Sequence, residues 1–444
     1  MWWVIPGAGF VGFLSYFDLI SIAVTGPQGM NEALALTATA FGLVAGLSSL
    51  GFALFEVPSS FFLAKFGTRR WLTRVMLTWG ALQLLTTFVP NSTWLFIIRI
   101  LLGIAIAGMM PALFAYVSSW FPRRYRPMAQ AMVSAVFMFS GIFGPALGTL
   151  IIEAGNAAPF ADVLPGWRLV FLVTGALALI TGVALWKLMR EKPSEAGWFT
   201  PEEATFYAAA LESDREATHA PIRSVGKALL DWRVILLGVG YFAICYAQYA
   251  ITIWMPTIVL GFGQQFNTSF TAIQSSLLSG VPLVFALFAA LLLGYLASKH
   301  GHGGWWVAGG ASIGAIGAVA TAFAQTPAFL LGAIALIAIG ANSTAPIVLS
   351  MVPRVVAGKG VLSAFALVNT MGAGVGVLSA PLTGWLTEVT GSNNAAFYVM
   401  AGSLLLGAVV MVTVERIARS HELQFGENTR DAQTRPLSRT KADA

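Results

Sequence analysis

Apolar residues run along this chain in twelve long stretches, separated by short turns rich in polar or small residues. A helix that crosses a bilayer needs roughly 20 mostly apolar residues. The pattern predicts such helices at 3–25, 38–64, 72–90, 94–120, 127–153 and 167–189, then at 233–262, 270–297, 304–324, 327–352, 360–388 and 394–415. The one long polar stretch, from Arg190 to Trp232, lies between the sixth and the seventh. It carries Glu191, Glu195, Glu202, Glu203, Glu212, Asp214, Arg215 and Arg223 and reads as a surface linker. The expected fold is an all-α integral membrane protein with twelve transmembrane helices. It divides into a six-helix bundle over 1–190, a cytoplasmic linker over 191–232, a second six-helix bundle over 233–418 and a disordered cytoplasmic tail over 419–444.

Composition agrees. Of 444 residues, 57% are hydrophobic and 10% are charged, with a mean hydropathy of +0.77. A soluble domain carries about 25% charged residues, so lipid solvates most of this chain. The net charge of +6 does not indicate nucleic acid, because the basic residues flank the apolar spans. Lys65, Arg69, Arg70 and Arg74 surround the 2–3 turn, and Arg123, Arg124 and Arg126 fill the 4–5 turn. Lys299 marks the 8–9 turn, and Arg354 with Lys359 the 10–11 turn. The turns at 26–37 and 154–166 carry Glu32 and Asp162 and no lysine. The positive-inside rule then puts the basic turns and both termini in the cytoplasm. The expected setting is a bacterial inner membrane, with the chain a monomer in the bilayer. The first helix reads as retained rather than as a signal peptide.

Other classes find little support. The lone Cys245 allows no disulfide within the chain. A nucleotide-binding G-x-x-x-x-G-K-[ST] motif is absent, which removes a primary pump. His300 and His302 have no acidic or thiol companions and read as exposed turn residues rather than a metal site. No cofactor is expected, and no catalytic cluster points to an enzyme.

The two halves repeat. Ser60, Ala64, Lys65 and Gly67 close the second helix, and Gly294, Ser298, Lys299 and Gly301 recur at the same spacing at the end of the eighth. A duplicated six-helix unit is a transporter architecture that binds its solute near the midplane, between the halves. Charges inside the spans are few. Apart from Arg99, inside the fourth span, and Arg168, at the very start of the sixth, the Lys and Arg residues, 23 of the 25, fall in alternate turns or the tail. Asp18 lies about seven residues from the outer end of the first helix, or roughly 10 Å. Arg99 lies about five residues from the outer end of the fourth, or roughly 8 Å. Each charge alone at the membrane centre costs about 2.5–3.5 kcal/mol, so the two are expected to pair or to meet through water. Asp18 can serve as the proton acceptor or, with Arg99, as a fixed ion pair; intramembrane charges are functional by default. Glu56, beside Pro58, suits a gate contact. Polar side chains within spans, among them Tyr16, Gln130, Gln248, Tyr249, Asn342, Ser343, Asn369 and Ser379, need partners on other helices or in the cavity.

These residues form a pattern that resembles the major facilitator superfamily. Lys65, Gly67, Arg69 and Arg70 match its 2–3 loop motif, Arg99 and Gly103 its fourth-helix R-x-x-x-G, and Gly141, Gly144, Pro145 and Gly148 its fifth-helix glycine-proline motif. More narrowly, Glu56 to Ser59, Gly67 to Trp71, Trp120 to Pro122, Trp254 to Val259 and Pro381 to Trp385 resemble the anion:cation symporter family, which imports organic acids with protons or sodium. The resemblance implies two pseudo-symmetric six-helix bundles and alternating-access uptake of a small organic anion, with a proton as the expected coupling ion. It implies substrate contacts at Tyr16, Arg99, Gln248, Tyr249, Trp254, Asn342 and Asn369, coupling at Asp18 and Arg99, and gating at Glu56, Lys65, Arg69 and Arg70. Three departures stand out. Leu19 replaces a basic neighbour of Asp18, Ile106 replaces a fourth-helix Glu, and Ala64 replaces the loop Asp. With Phe52 in place of a tyrosine, a cavity walled by Leu19 and Ile106 would be less polar than a sugar-acid site and would suit an aromatic or weakly charged acid. A facilitator or exporter of neutral or amphipathic compounds is the alternative these departures encourage.

Overall fold

The computed structural model describes residues 4–121, 126–191, 231–267, 270–356 and 361–434, the last helix by its backbone alone beyond Arg419. Pro122, Arg123, Arg124, Lys359, most of the expected linker and the tail from 435 lie outside the described residues. The first half contains α1 (Val4–Thr25), α2 (Ala38–Phe66), α3 (Thr68–Thr87), α4 in two pieces (Ser92–Ile106 and Met109–Trp120), α5 (Arg126–Asn156) and α6 (Gly166–Leu188). The second contains α7 (Trp232–Leu260), α8 (Ala272–His300), α9 (Gly303–Ala320), α10 in two pieces (Pro327–Asn342 and Ala345–Val355), α11 in two pieces (Val361–Gly374 and Gly376–Thr390) and α12 (Asn394–Thr434). Among the described residues there is no strand.

Eleven helices are long and apolar enough to cross a membrane. The exception is α3, which starts at Thr68 rather than at 72 and so draws Arg69, Arg70 and Arg74 into its first turns. Packing still places it as a span. Gly80 of α3 and Gly175 of α6 face each other so closely that a Cβ on either would stand 2.9–3.0 Å from the other's carbonyl oxygen. Small residues let backbones approach in this way within a bilayer. The helix α12 continues past its apolar span, which ends at Arg419, as far as Thr434.

The repeat seen in the sequence has a backbone counterpart. Gly67 (φ +80) and Gly301 (φ +67) end α2 and α8 in the left-handed region, where glycine carries no Cβ penalty. In each half a carboxylate from the end of the sixth helix then caps the start of the third. Glu191 accepts from Arg69 N at 3.0 Å, and Glu415 accepts from Gly304 N at 2.9 Å. Both place negative charge at the positive end of a helix dipole.

The halves join at the end remote from the basic turns. A Cβ on Gly42 or Gly46 of α2 would lie 2.4 Å from Ala380 O or Gly376 O of α11. Nearby, Thr39 donates to Glu388 through its amide (3.1 Å) and hydroxyl (2.6 Å). The Phe41 and Trp254 rings meet edge-on at 5.3 Å. On the opposite flank α5 meets α8, with the Thr149 and Ser276 hydroxyls 2.6 Å apart. That end of the molecule is closed.

Candidate functional site

Between the halves lies a cavity of about 190 Å³. Its wall brings Tyr16, Asp18 and Leu19 from α1 to Ser48, Ser49 and Phe52 from α2, Arg99 and Ile106 from α4, Tyr249 from α7 and Ala373 from α11. Leu19, Phe52 and Ile106 therefore all face it, which makes the wall largely apolar around one acid and one base.

Arg99 owes its position to a close approach of α2 and α4. A Cβ on Gly103 would stand 1.9 Å from Ser48 O, and one on Gly51 would stand 2.1 Å from Ile100 O. Only glycine lets the two backbones come this near, so the R-x-x-x-G spacing sets Arg99 one turn along, directly over α2. The guanidinium is fully buried; its Nε donates to Val44 O at 3.2 Å and its Nη2 to Ser48 Oγ at 3.3 Å. Its Nη1 lies 3.6 Å from Asp18 Oδ1 and makes no hydrogen bond. Asp18, 7% exposed, also accepts a short hydrogen bond from Gln83 Nε2 of α3. The buried Trp79 indole faces the same carboxyl outside hydrogen-bonding geometry. The pair expected from depth alone is thus formed, with a third member, Gln83. Tyr16 faces Thr252 across the halves and Tyr249 faces Ser49, so each half sends a tyrosine to a hydroxyl of the other.

Four expected substrate contacts lie off this wall. Trp254, 4% exposed, packs into the closed end and donates from its indole to Ala380 O at 3.3 Å, so its place is in the seal. Asn342 sits at the break of α10 and donates to Ala338 O of its own helix at 3.3 Å. Gln248 on α7 and Asn369 on α11 are half-buried beside the cavity without lining it. Helical periodicity turns Gln248 from the cavity that its neighbour Tyr249 lines, whereas Asn369 lies one turn before Ala373 on the same face of α11.

The expected gating residues separate as well. Glu56, 6% exposed, accepts from Gly108 N at 2.7 Å at the break of α4. Arg69 stays within its own half, donating from Nε to Trp186 O at 3.0 Å and lying 5.2 Å over that indole ring. Lys65 lies 5.6 Å over the Phe66 ring, and Arg70 is exposed. His302 joins an ion cluster in which Arg354 grips Glu415 with two bonds of 3.0 Å.

Sequence reasoning missed Gln83, Ser48, Arg74 and Glu415. Gln83 had a signal, being a polar side chain four residues after Trp79 in a span. Glu415 fell on a helix boundary and was read as the edge of a span.

The family model described as Major Facilitator Superfamily matches residues 8–302 and 258–441. The chain belongs to the Major Facilitator Superfamily. It is therefore a multi-pass membrane transporter and not an enzyme. It is similar, at 32% identity over 413 residues, to an Agrobacterium vitis protein that carries the name tartrate transporter, covering 93% of this chain and 90% of that one. It is 28% identical over 418 residues to a quinolone resistance transporter of Acinetobacter baumannii, with 93% of each chain covered. Among solved structures, a bacterial homologue of the human lysosomal transporter Spinster, crystallised inward-facing and occupied, shares the superfamily fold. It has a TM-score of 0.69 and 16% identity, and the match covers 94% of this chain and 95% of that one.

Proposed function

We propose that this superfamily member imports a small organic anion together with a proton, with Arg99 receiving the anion and Asp18 the proton. The observation that carries the reading is the Arg99 guanidinium in the cavity wall, with one nitrogen free of hydrogen bonds and aimed at a carboxylate 3.6 Å away. One cation faces two claimants. When Asp18 is protonated, Arg99 is left as an unneutralised charge and attracts a carboxylate from solution. When the anion leaves, Asp18 releases its proton and pairs with Arg99 again. Competition for one guanidinium links the two movements with no direct contact between proton and substrate.

Cavity size favours a small acid over a larger amphipathic compound. Pockets for drug-sized ligands hold about 300–1,000 Å³, against about 190 Å³ here. The relative named for tartrate supports that choice, and the one named for quinolone resistance marks the competing reading. The basic turns support a cytoplasmic placement of that end and of both termini, and with the opposite end closed this reads as an inward-facing conformation. One chain supplies both halves of the cavity, which suits a monomer in a bacterial inner membrane.

Reconstituted vesicles test the reading. With tartrate and a panel of small hydroxy acids as probes, an imposed inward proton gradient should drive accumulation above the external concentration. Purely downhill flux of every probe, at any pH step, would reject symport.

A further inference from the structure

Helix α4 is broken at Ala107–Gly108, between the piece that carries Arg99 and the piece that runs to the basic end. Ala107 is extended (ψ 139) and Gly108 left-handed (φ +74, ψ 7), so both the last carbonyls of the first piece and the first amides of the second lose helical partners. Two side chains of opposite charge meet those groups. Arg74 of α3 donates from Nη1 to Ala105 O at 3.1 Å, at the negative end of the first piece. Glu56 of α2 accepts from Gly108 N at 2.7 Å, at the positive end of the second. Each charge has the sign that its half-helix dipole favours. Arg74 is itself braced, lying 3.9 Å over the Trp71 ring. A side chain at position 108 would collide with this support, since a Cβ would stand 2.3 Å from Ser59 Oγ and 3.0 Å from Trp71 Nε1.

The corresponding break in α10, at Ser343–Thr344, is capped differently. There Ser343 Oγ and Thr344 Oγ1 bond to Ile339 O and Gly340 O of their own helix. Equivalent breaks in the two halves are thus held in one case by charges from neighbouring helices and in the other by local hydroxyls.

We propose that Glu56 and Arg74 form an electrostatic clamp that fixes the angle between the two pieces of α4, so that movement of the Met109–Trp120 piece is transmitted to Arg99. They are positioning residues, because neither touches the proposed substrate. The proposal rests on the superfamily's transport cycle but not on the identity of the solute, and its primary test uses no solute.

Pairs of spin labels in a Cys245→Ala background, in lipid nanodiscs, measure the angle. Leu101→Cys with Ala115→Cys spans the break, and Leu101→Cys with Ile180→Cys reports the part of the bundle above it. Glu56→Ala and Arg74→Ala should each turn one narrow distance across the break into a broad distribution and leave the second pair unchanged. Glu56→Gln, whose amide oxygen can still accept from Gly108 N but which brings no charge to the dipole, should broaden it less than Glu56→Ala. In transport assays the alanine variants should lose about tenfold in kcat with KM little changed, the equivalent of about 1.4 kcal/mol. An unbroadened distance across the break in both alanine variants overturns the clamp. Hydrogen exchange of the wild-type protein guards against variants that fail to fold. The Gly108 amide should exchange more slowly than amides at the start of Ala345–Val355, and equal or faster exchange also overturns it.

Discussion

Replacing Asp18 with Asn should strengthen anion binding rather than weaken it. On the proposed competition, the anion must displace Asp18 from Arg99 in the wild-type protein. Unit charges at 3.6 Å attract by about 4–5 kcal/mol at an effective dielectric of about 20. That figure is a ceiling, because the Asn dipole still faces the guanidinium and water enters the cavity. If a third to a half of it returns to the ligand, affinity rises about 10- to 60-fold, since each 1.4 kcal/mol is tenfold. The assay is titration of the purified variants with tartrate or the tightest hydroxy acid of the panel, at several values between pH 5.5 and 8. Wild-type affinity should rise as pH falls, because protonating Asp18 does what the Asn substitution does permanently. The variant should be tight and nearly independent of pH, and the two curves should converge at the acid end. Exchange of external for internal substrate should survive in the variant, and accumulation driven by a pH step should vanish. An Asp18→Asn variant that binds more weakly than wild type at every pH, or keeps the wild-type pH dependence, would refute competition for Arg99.

Arg99→Lys should lose at least tenfold in affinity, because a compact ammonium cannot reach Val44 O, Ser48 Oγ and Asp18 together as the guanidinium does; the same titration reads it. Arg99→Ala should destabilise the protein by roughly 3–5 kcal/mol through the buried carboxylate it strands, and adding Asp18→Asn should recover much of that loss in thermal unfolding. Gly42→Ala should open the closed end, since its new Cβ would stand 2.4 Å from Ala380 O; a cysteine at Ser49 should then react faster with an impermeant maleimide added from the far side. Glu415→Gln should lower thermal stability by roughly 2 kcal/mol, less than a fully buried pair because Arg354 keeps 28% of its side-chain surface exposed.

The spans were legible because burial in lipid leaves a long apolar record that local rules can read. The Asp18–Arg99 contact was legible for a similar reason, since two isolated charges at one depth have few other partners. Breaks in helices were not. Ala107 and Gly108 lie in an unbroken apolar run, and the break depends on Glu56 and Arg74, which sit on other helices and stabilise it only once the bundle has formed. The misplaced wall residues show the same limit. Gln248 and Tyr249 are adjacent in sequence, yet only Tyr249 lines the cavity. Which of two neighbours faces inward depends on the rotation of α7, set by contacts such as Met371 Sδ of α11 against Gly238. The sequence pattern of α7, apolar on nearly every face, carries no mark of that rotation.

The duplicated halves divide the work unequally, and the charges show how. On the cavity wall the second half contributes Tyr249 and Ala373, neither charged, while the first supplies Asp18 and Arg99. Glu56 and Arg74, at the α4 break, also belong to the first half. The described charges of the second half lie toward its ends, with Glu388 at the closed interface and the Glu415–Arg354 pair at the basic end. Symmetry of backbone therefore does not carry symmetry of chemistry. A rocking cycle needs two bodies of similar shape, but an anion and a proton that compete for one guanidinium need only one charged site. In the proposed cycle, placing that site wholly in the first half keeps Asp18 and Arg99 in register while the second half moves past them. On that reading their contact answers to protonation and to substrate, with domain rotation acting on it only through the proposed clamp in α4.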